Sequence, residues 1–186
     1  HNFQGLWVVD YLEKRYPDFP GLNLTYEVRE SMAKHNTRYD EPPRQYWSDY
    51  DFDPKAAPLV EAQIVDICDA IAYDSHDVDD GLTAGFLEEK ELKGLALFDQ
   101  AVREVKSRYG KIEGIIRRRQ IVRSLINLEV IDVLAETRKR INQRRISGVD
   151  DVRKKGWDVV GFSPDRAAAK KELEAKDPDA YKIILL

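Results

Sequence analysis

Three residues in the middle of the chain have the types and spacing to do chemistry: Asp69, Tyr73 and Asp77. At i, i+4 and i+8 they form a polar row on adjoining turns of a helix, two carboxylates on either side of a phenol. The surrounding stretch, Glu61 to Leu82, has helical period, with Ile64, Ile67, Cys68, Ile71 and Ala72 as an apolar stripe beside the row. That places the acids at the edge of a core. A lone carboxylate there is costly unless a metal, a cation or a hydrogen-bond donor satisfies it. Spacing alone leaves a second reading open, a solvated helix face on which the tyrosine covers the core edge.

The elements that must position this row are helices. Phe3, Leu6, Trp7, Tyr11 and Leu12 repeat at helical spacing until Tyr16-Pro17 and Phe19-Pro20-Gly21 impose a turn. Thr25 is placed as the N-cap of a second helix that runs to about His35. Asn36 to Pro58 has no usable period; its prolines alternate with Tyr39, Tyr46, Trp47, Tyr50 and Phe52, which predicts a long ordered loop packed through its aromatics. The central helix is expected from about Leu59 to Asp77, with Gly81 and Gly85 bracketing a short connection. A helix from Glu88 or Lys93 to Tyr109 follows, with Gly110 as its C′ residue. The longest periodic segment carries Ile112, Ile115, Ile116, Val122, Ile126, Val130, Val133, Leu134 and Ile141, and ends at Ser147-Gly148. Ser163-Pro164-Asp165 opens a last helix to about Lys176. Trp157 to Phe162 is the best candidate for a short extended piece. The fold class is therefore all-α, and length gives no reason to divide residues 1–186 into more than one helical domain.

Of the 186 residues, 42% are hydrophobic and 34% charged, a globular composition. No run approaches the roughly 18 apolar residues of a membrane span, so no membrane partner is expected and the chain is read as cytoplasmic. The single cysteine, Cys68, falls on the predicted apolar stripe and is expected to be a buried, unreactive thiol. The formal charge of −4 conceals a division: Lys111 to Arg145 holds ten Lys and Arg against four acids, a surplus of six that leaves −10 elsewhere. Such a basic helix suits phosphate binding or charge pairing within the chain. Gly-rich phosphate loops, a G-x-S-x-G elbow and zinc-type cysteine spacing are all absent, which removes those enzyme classes.

The segment Asp69-Ala70-Ile71-Ala72-Tyr73, followed by Asp77 and Asp79-Asp80-Gly81, resembles the last motif of the HD-domain deoxynucleoside triphosphate triphosphohydrolases, the dGTPase family, D-[DE]-I-[AC]-Y. Two other stretches agree in order. His1-Asn2-Phe3-Gln4-Gly5-Leu6-Trp7-Val8 is similar to the family's H-N-x-Q-G-x-R-V, and Leu22-Asn23-Leu24-Thr25-Tyr26-Glu27-Val28 through Lys34-His35 is similar to L-N-L-T-x-E-V…K-H. The resemblance implies an HD-domain-like helical bundle, here incomplete. It also implies hydrolysis of a dGTP-like deoxynucleoside triphosphate to deoxynucleoside and triphosphate.

Site roles follow from the same resemblance. Asp69 is the metal ligand, for a divalent ion with Mg or Mn first and Zn, Ni or Fe admissible. The family's remaining ligands, a His and a His-Asp doublet, lie before His1 in the family order, and His76-Asp77 does not stand at the doublet's position. Tyr73 and Asp77, about 6 and 12 Å further along the axis, are substrate contacts, Asp77 toward a sugar hydroxyl. His1 is the catalytic histidine near the phosphates. Arg119 and Arg123, at i, i+4, are the phosphate-side pair, and His35 is read as structural. Arg138, Lys139, Arg140, Arg144 and Arg145 are read as surface, open to a homo-oligomer or to single-stranded nucleic acid. The rival readings are a non-catalytic nucleotide or single-stranded nucleic-acid binding module, and an HD phosphodiesterase for another phosphoester.

Overall fold

The computed structural model describes residues 2–35 and 50–175. His1, most of the aromatic loop and residues 176–186 lie outside the described residues. The helices in chain order are α1 (Asn2–Trp7), continued by a π-helical turn (Val8–Leu12), α2 (Tyr26–Lys34), α3 (Val60–Ala84), α4 (Glu89–Leu92), α5 (Ala96–Tyr109), α6 (Gly114–Arg144), α7 (Val149–Lys155) and α8 (Pro164–Glu174). The fold is all-α. Among the described residues the one β-type pairing is an isolated bridge between Lys14 and Gly21. Trp157–Phe162 is accordingly not a strand.

The contacts group the chain into two units. The first comprises His1–Ile67 and Arg140–Val160. Its core is Leu6 and Ala33 on α1 and α2 with Phe52, against which Phe3, Met32 and Tyr50 pack. Tyr50 and Phe52 stack at 5.5 Å, and the Arg29 guanidinium lies over both rings while Asp10 binds it at 2.8 Å. A side chain at Gly21 would put its Cβ 2.3 Å from the Asp10 carbonyl, and its φ of +66° is one that favours glycine, so this residue makes the return from α1 possible. Glu30 is buried and is satisfied by Lys34 Nζ at 2.7 Å and by Arg153. Gln63 is saturated as well. Its Nε2 donates to the carbonyls of Pro58 and Gly156, and its Oε1 accepts from the amides of Val159 and Val160, which is why that stretch needs no sheet partner.

The second unit comprises Cys68–Lys139 and Gly161–Leu186. Leu97, Phe98, Ala101 and Val105 of α5 pack with Ile121, Leu125 and Leu128 of α6, Val78 of α3 and Leu173 of α8. Local signals work as expected here: Gly110 ends α5 at φ +68°, and Ser163 Oγ accepts from the Arg166 amide at the start of α8. Asp132 then accepts from both the amide and the hydroxyl of Ser163 at 2.8 and 2.7 Å, fixing that cap.

Four expectations are corrected. Helix α3 runs to Ala84 rather than Asp77; Gly81 sits buried inside it, and its carbonyl accepts from the Phe86 and Leu87 amides as Gly85 turns the chain at φ +74°. The predicted helix before Gly110 is two helices, α4 and α5, because Gly94 has φ +98°. On α3, Ile71 of the predicted stripe is buried and Ile67 and Ala72 are partly so, but Ile64 is 45% exposed and Cys68 is also exposed, so only part of the stripe is inside and the thiol is not buried. On α6, Ile115, Ile116, Val130 and Leu134 are exposed while Ile121, Leu125 and Leu128 are inside. Both helices carry apolar residues on nearly every face, and period alone cannot choose among faces that are all apolar.

Candidate functional site

Asp69, Tyr73 and Asp77 lie on one continuous helix, the part of α3 that belongs to the second unit. Four residues turn a helix about 40° past a full revolution, so the row winds around α3 and does not run straight. Its members therefore end in different surroundings. Asp69 is half-buried and makes no hydrogen bond or ion pair among the described residues. Tyr73 is 57% exposed, and its phenol makes no hydrogen bond among the described residues. Asp77 is 8% exposed and borders a cavity of about 20 Å³ shared with Asp74, Leu87, Leu173 and Glu174, room for a water and not for a sugar.

Beside the row is a buried ionic cluster that the spacing did not announce. Lys170 Nζ binds Asp74 Oδ2 at 2.6 Å and also bonds Glu174, and the ammonium sits 5.9 Å from the Phe162 ring centroid. Burial works against this ammonium, but its hydrogen bonds to Asp74 and Glu174 outweigh that and raise its pKa. Glu129 on α6 is 1% exposed, and its Oε1 has no hydrogen-bond partner. Burial first, and the Asp74 charge second, push the Glu129 carboxyl up to about 8.

The arginines of α6 divide in two. Arg117 pairs with Glu89, and Arg118 with Asp79 at 3.3 Å. Arg119 and Arg123 are exposed and carry no ion pair among the described residues, and no hydrogen bond joins either to the Asp69 row. Further along, Arg140 donates to the Asp158 carbonyl at 2.8 Å and Arg144 to that of Trp157, so part of the distal basic cluster closes the 155–158 turn. His1 lies outside the described residues, and His76 is exposed.

His35, read as structural, forms a close pair through Nδ1 with Asp66 Oδ1 in the first unit. The two are 31 positions apart, and nothing local in the sequence signals the pair. Among the described residues no group of three or more His, Cys, Asp or Glu could hold a metal ion. Asp69, a hard and unengaged oxygen donor, fits as one ligand of a larger set. It is not a site by itself. No helix among the described residues is long and apolar enough to cross a membrane.

No family model matches the chain. It is 37% identical over 174 residues, 94% of its length, to a deoxyguanosinetriphosphate triphosphohydrolase-like protein of Geobacter metallireducens. A Syntrophus aciditrophicus protein of the same name is 39% identical over 86% of the chain, and one from Rickettsia bellii 33% over 94%. A helical chain with these motifs in this order, matched along most of its length, is a member of the deoxyguanosinetriphosphate triphosphohydrolase-like family. The chain spans less than half the length of these relatives, 44% of the first and 40% of the second.

Proposed function

We propose that the chain supplies part of the substrate site of a metal-dependent triphosphohydrolase acting on a deoxynucleoside triphosphate of the dGTP kind. The products are deoxynucleoside and triphosphate. The observation that carries this reading is the state of Asp69: it has no partner among the described residues, on a helix whose neighbouring buried acid, Asp74, has one. Desolvating a carboxylate without satisfying it is unfavourable, so a free one beside a core is suited to a cation that arrives from outside. A divalent ion held there, with ligands from beyond the described residues, supplies Lewis acidity and an activated water.

The chain's own groups bind and orient. The unpaired Arg119 and Arg123 guanidiniums meet the negative charge of the triphosphate. Tyr73 offers an exposed ring to the sugar. Asp77 reaches a sugar hydroxyl through a water, because its cavity admits nothing larger. The second reading, a nucleotide-binding module without turnover, is favoured by the lack of a three-ligand group among the described residues.

The test is Asp69→Asn in the full-length protein, with metal content and steady-state kinetics measured. Loss of metal with a fall in kcat of about a hundredfold or more supports the ligand role. Retained metal and unchanged kcat refute it. Turnover by the 186-residue chain alone, with Mg²⁺ or Mn²⁺, also refutes it. Nucleotide binding by the full-length protein without turnover establishes the binding module instead.

A further inference from the structure

The first unit contains a cavity of about 770 Å³ whose lining includes none of Asp69, Tyr73 and Asp77. Its walls are Val28 and Met32 of α2, Leu59, and Ala62 and Val65 on the first turns of α3. Val28 and Val65 are 46% and 58% exposed. The floor of the cavity is therefore apolar and open to solvent, with room for a side-chain stripe of another element.

The polar groups at its edge narrow what that is. Asn2 Nδ2 donates to the His35 carbonyl, and the His35 ring is engaged by Asp66, so those two are committed. Glu27 on α2 and Glu61 on α3 also line the cavity, are exposed, and make no ion pair among the described residues. No Lys or Arg lines the cavity among the described residues, which makes it a poor seat for a triphosphate. An apolar floor between two helices, with an acid on each, is the complement of a third helix with an apolar face and basic flanks. The family contains unplaced polypeptide to provide one, since the chain accounts for 44% of the Geobacter metallireducens relative.

We propose that this groove seats a helix from the part of the family polypeptide outside the matched segment, its apolar stripe on Met32, Ala62 and Val65 and its Lys or Arg residues against Glu27 and Glu61. The proposal rests on family membership and not on the role of Asp69, so either can fail without the other.

The experiment places a cysteine in the groove, Val65→Cys with Cys68→Ser, in both the 186-residue chain and the full-length protein. Maleimide labelling rates are compared, and circular dichroism verifies that each is folded. Labelling should be fast in the 186-residue chain and about tenfold or more slower in the full-length protein at every concentration. Adding Glu27→Lys and Glu61→Lys should raise the full-length rate by about tenfold, and by less in high salt. Equal rates in the two proteins overturn the proposal. Protection that vanishes on dilution assigns the groove to a second copy and overturns the intramolecular helix. Protection indifferent to the charge reversal overturns the basic flanks.

Discussion

Asp69 and Asp74 stand five positions apart on α3, within the same unit, and the protein treats them in opposite ways. Asp74 is buried and held by Lys170 at 2.6 Å, with Glu129 and Glu174 close enough to shift or share charge. Asp69 is half-exposed and has no hydrogen bond or ion pair among the described residues. The difference separates an acid held inside the fold by an ion pair from one that the described residues leave unengaged, the acid to which the proposed metal role falls. The same division runs along α6, where Arg117 and Arg118 are paired and, among the described residues, Arg119 and Arg123 are not. A buried charge without a partner is expensive, so an unpaired one near the surface is where function has room to act.

The comparison breaks most readily at Lys170. Lys170→Met removes the ammonium bound to Asp74 and Glu174 and should cost roughly 3–5 kcal/mol in urea unfolding at neutral pH. Adding Asp74→Asn should restore most of it. A loss below about 1 kcal/mol would mean that the cluster does not hold the unit together. Gln63→Leu makes the parallel test for the first unit: it strands two amides and two carbonyls, and should cost roughly 2–4 kcal/mol.

Glu129 sharpens the contrast through pH. Its folded pKa, about 8, is raised above the unfolded value of 4.5, so the folded state holds the proton more tightly. Its contribution to stability is therefore complete below pH 4.5 and is lost as pH rises through 8. Glu129→Gln should flatten that decline and be more stable than the parent at pH 8.5 by roughly 2–4 kcal/mol. Unfolding curves of both proteins between pH 5 and 8.5 check this, and parallel curves would show that Glu129 is ionised in the fold. The smallest effect belongs to Asp69. Asp69→Asn should change the stability of the metal-free chain by less than about 0.5 kcal/mol. A larger loss would place it with Asp74 as a structural acid.

What the sequence by itself determined is local. The cap at Ser163-Pro164, the stop at Gly110, the single helix that carries Asp69, Tyr73 and Asp77, and each of the motifs that point to the family depend on residues a few positions apart. The tertiary structure decided which faces are inside. Ile64 and Cys68 face out, Asp77 faces in, and Tyr73 between them stays in solvent. His35 meets Asp66 across 31 positions, and Gln63 meets Val159 across 96. Helical period is set by backbone geometry within one turn. Burial is set by whichever element arrives from far along the chain, and on helices as evenly apolar as α3 and α6 only that arrival selects the face.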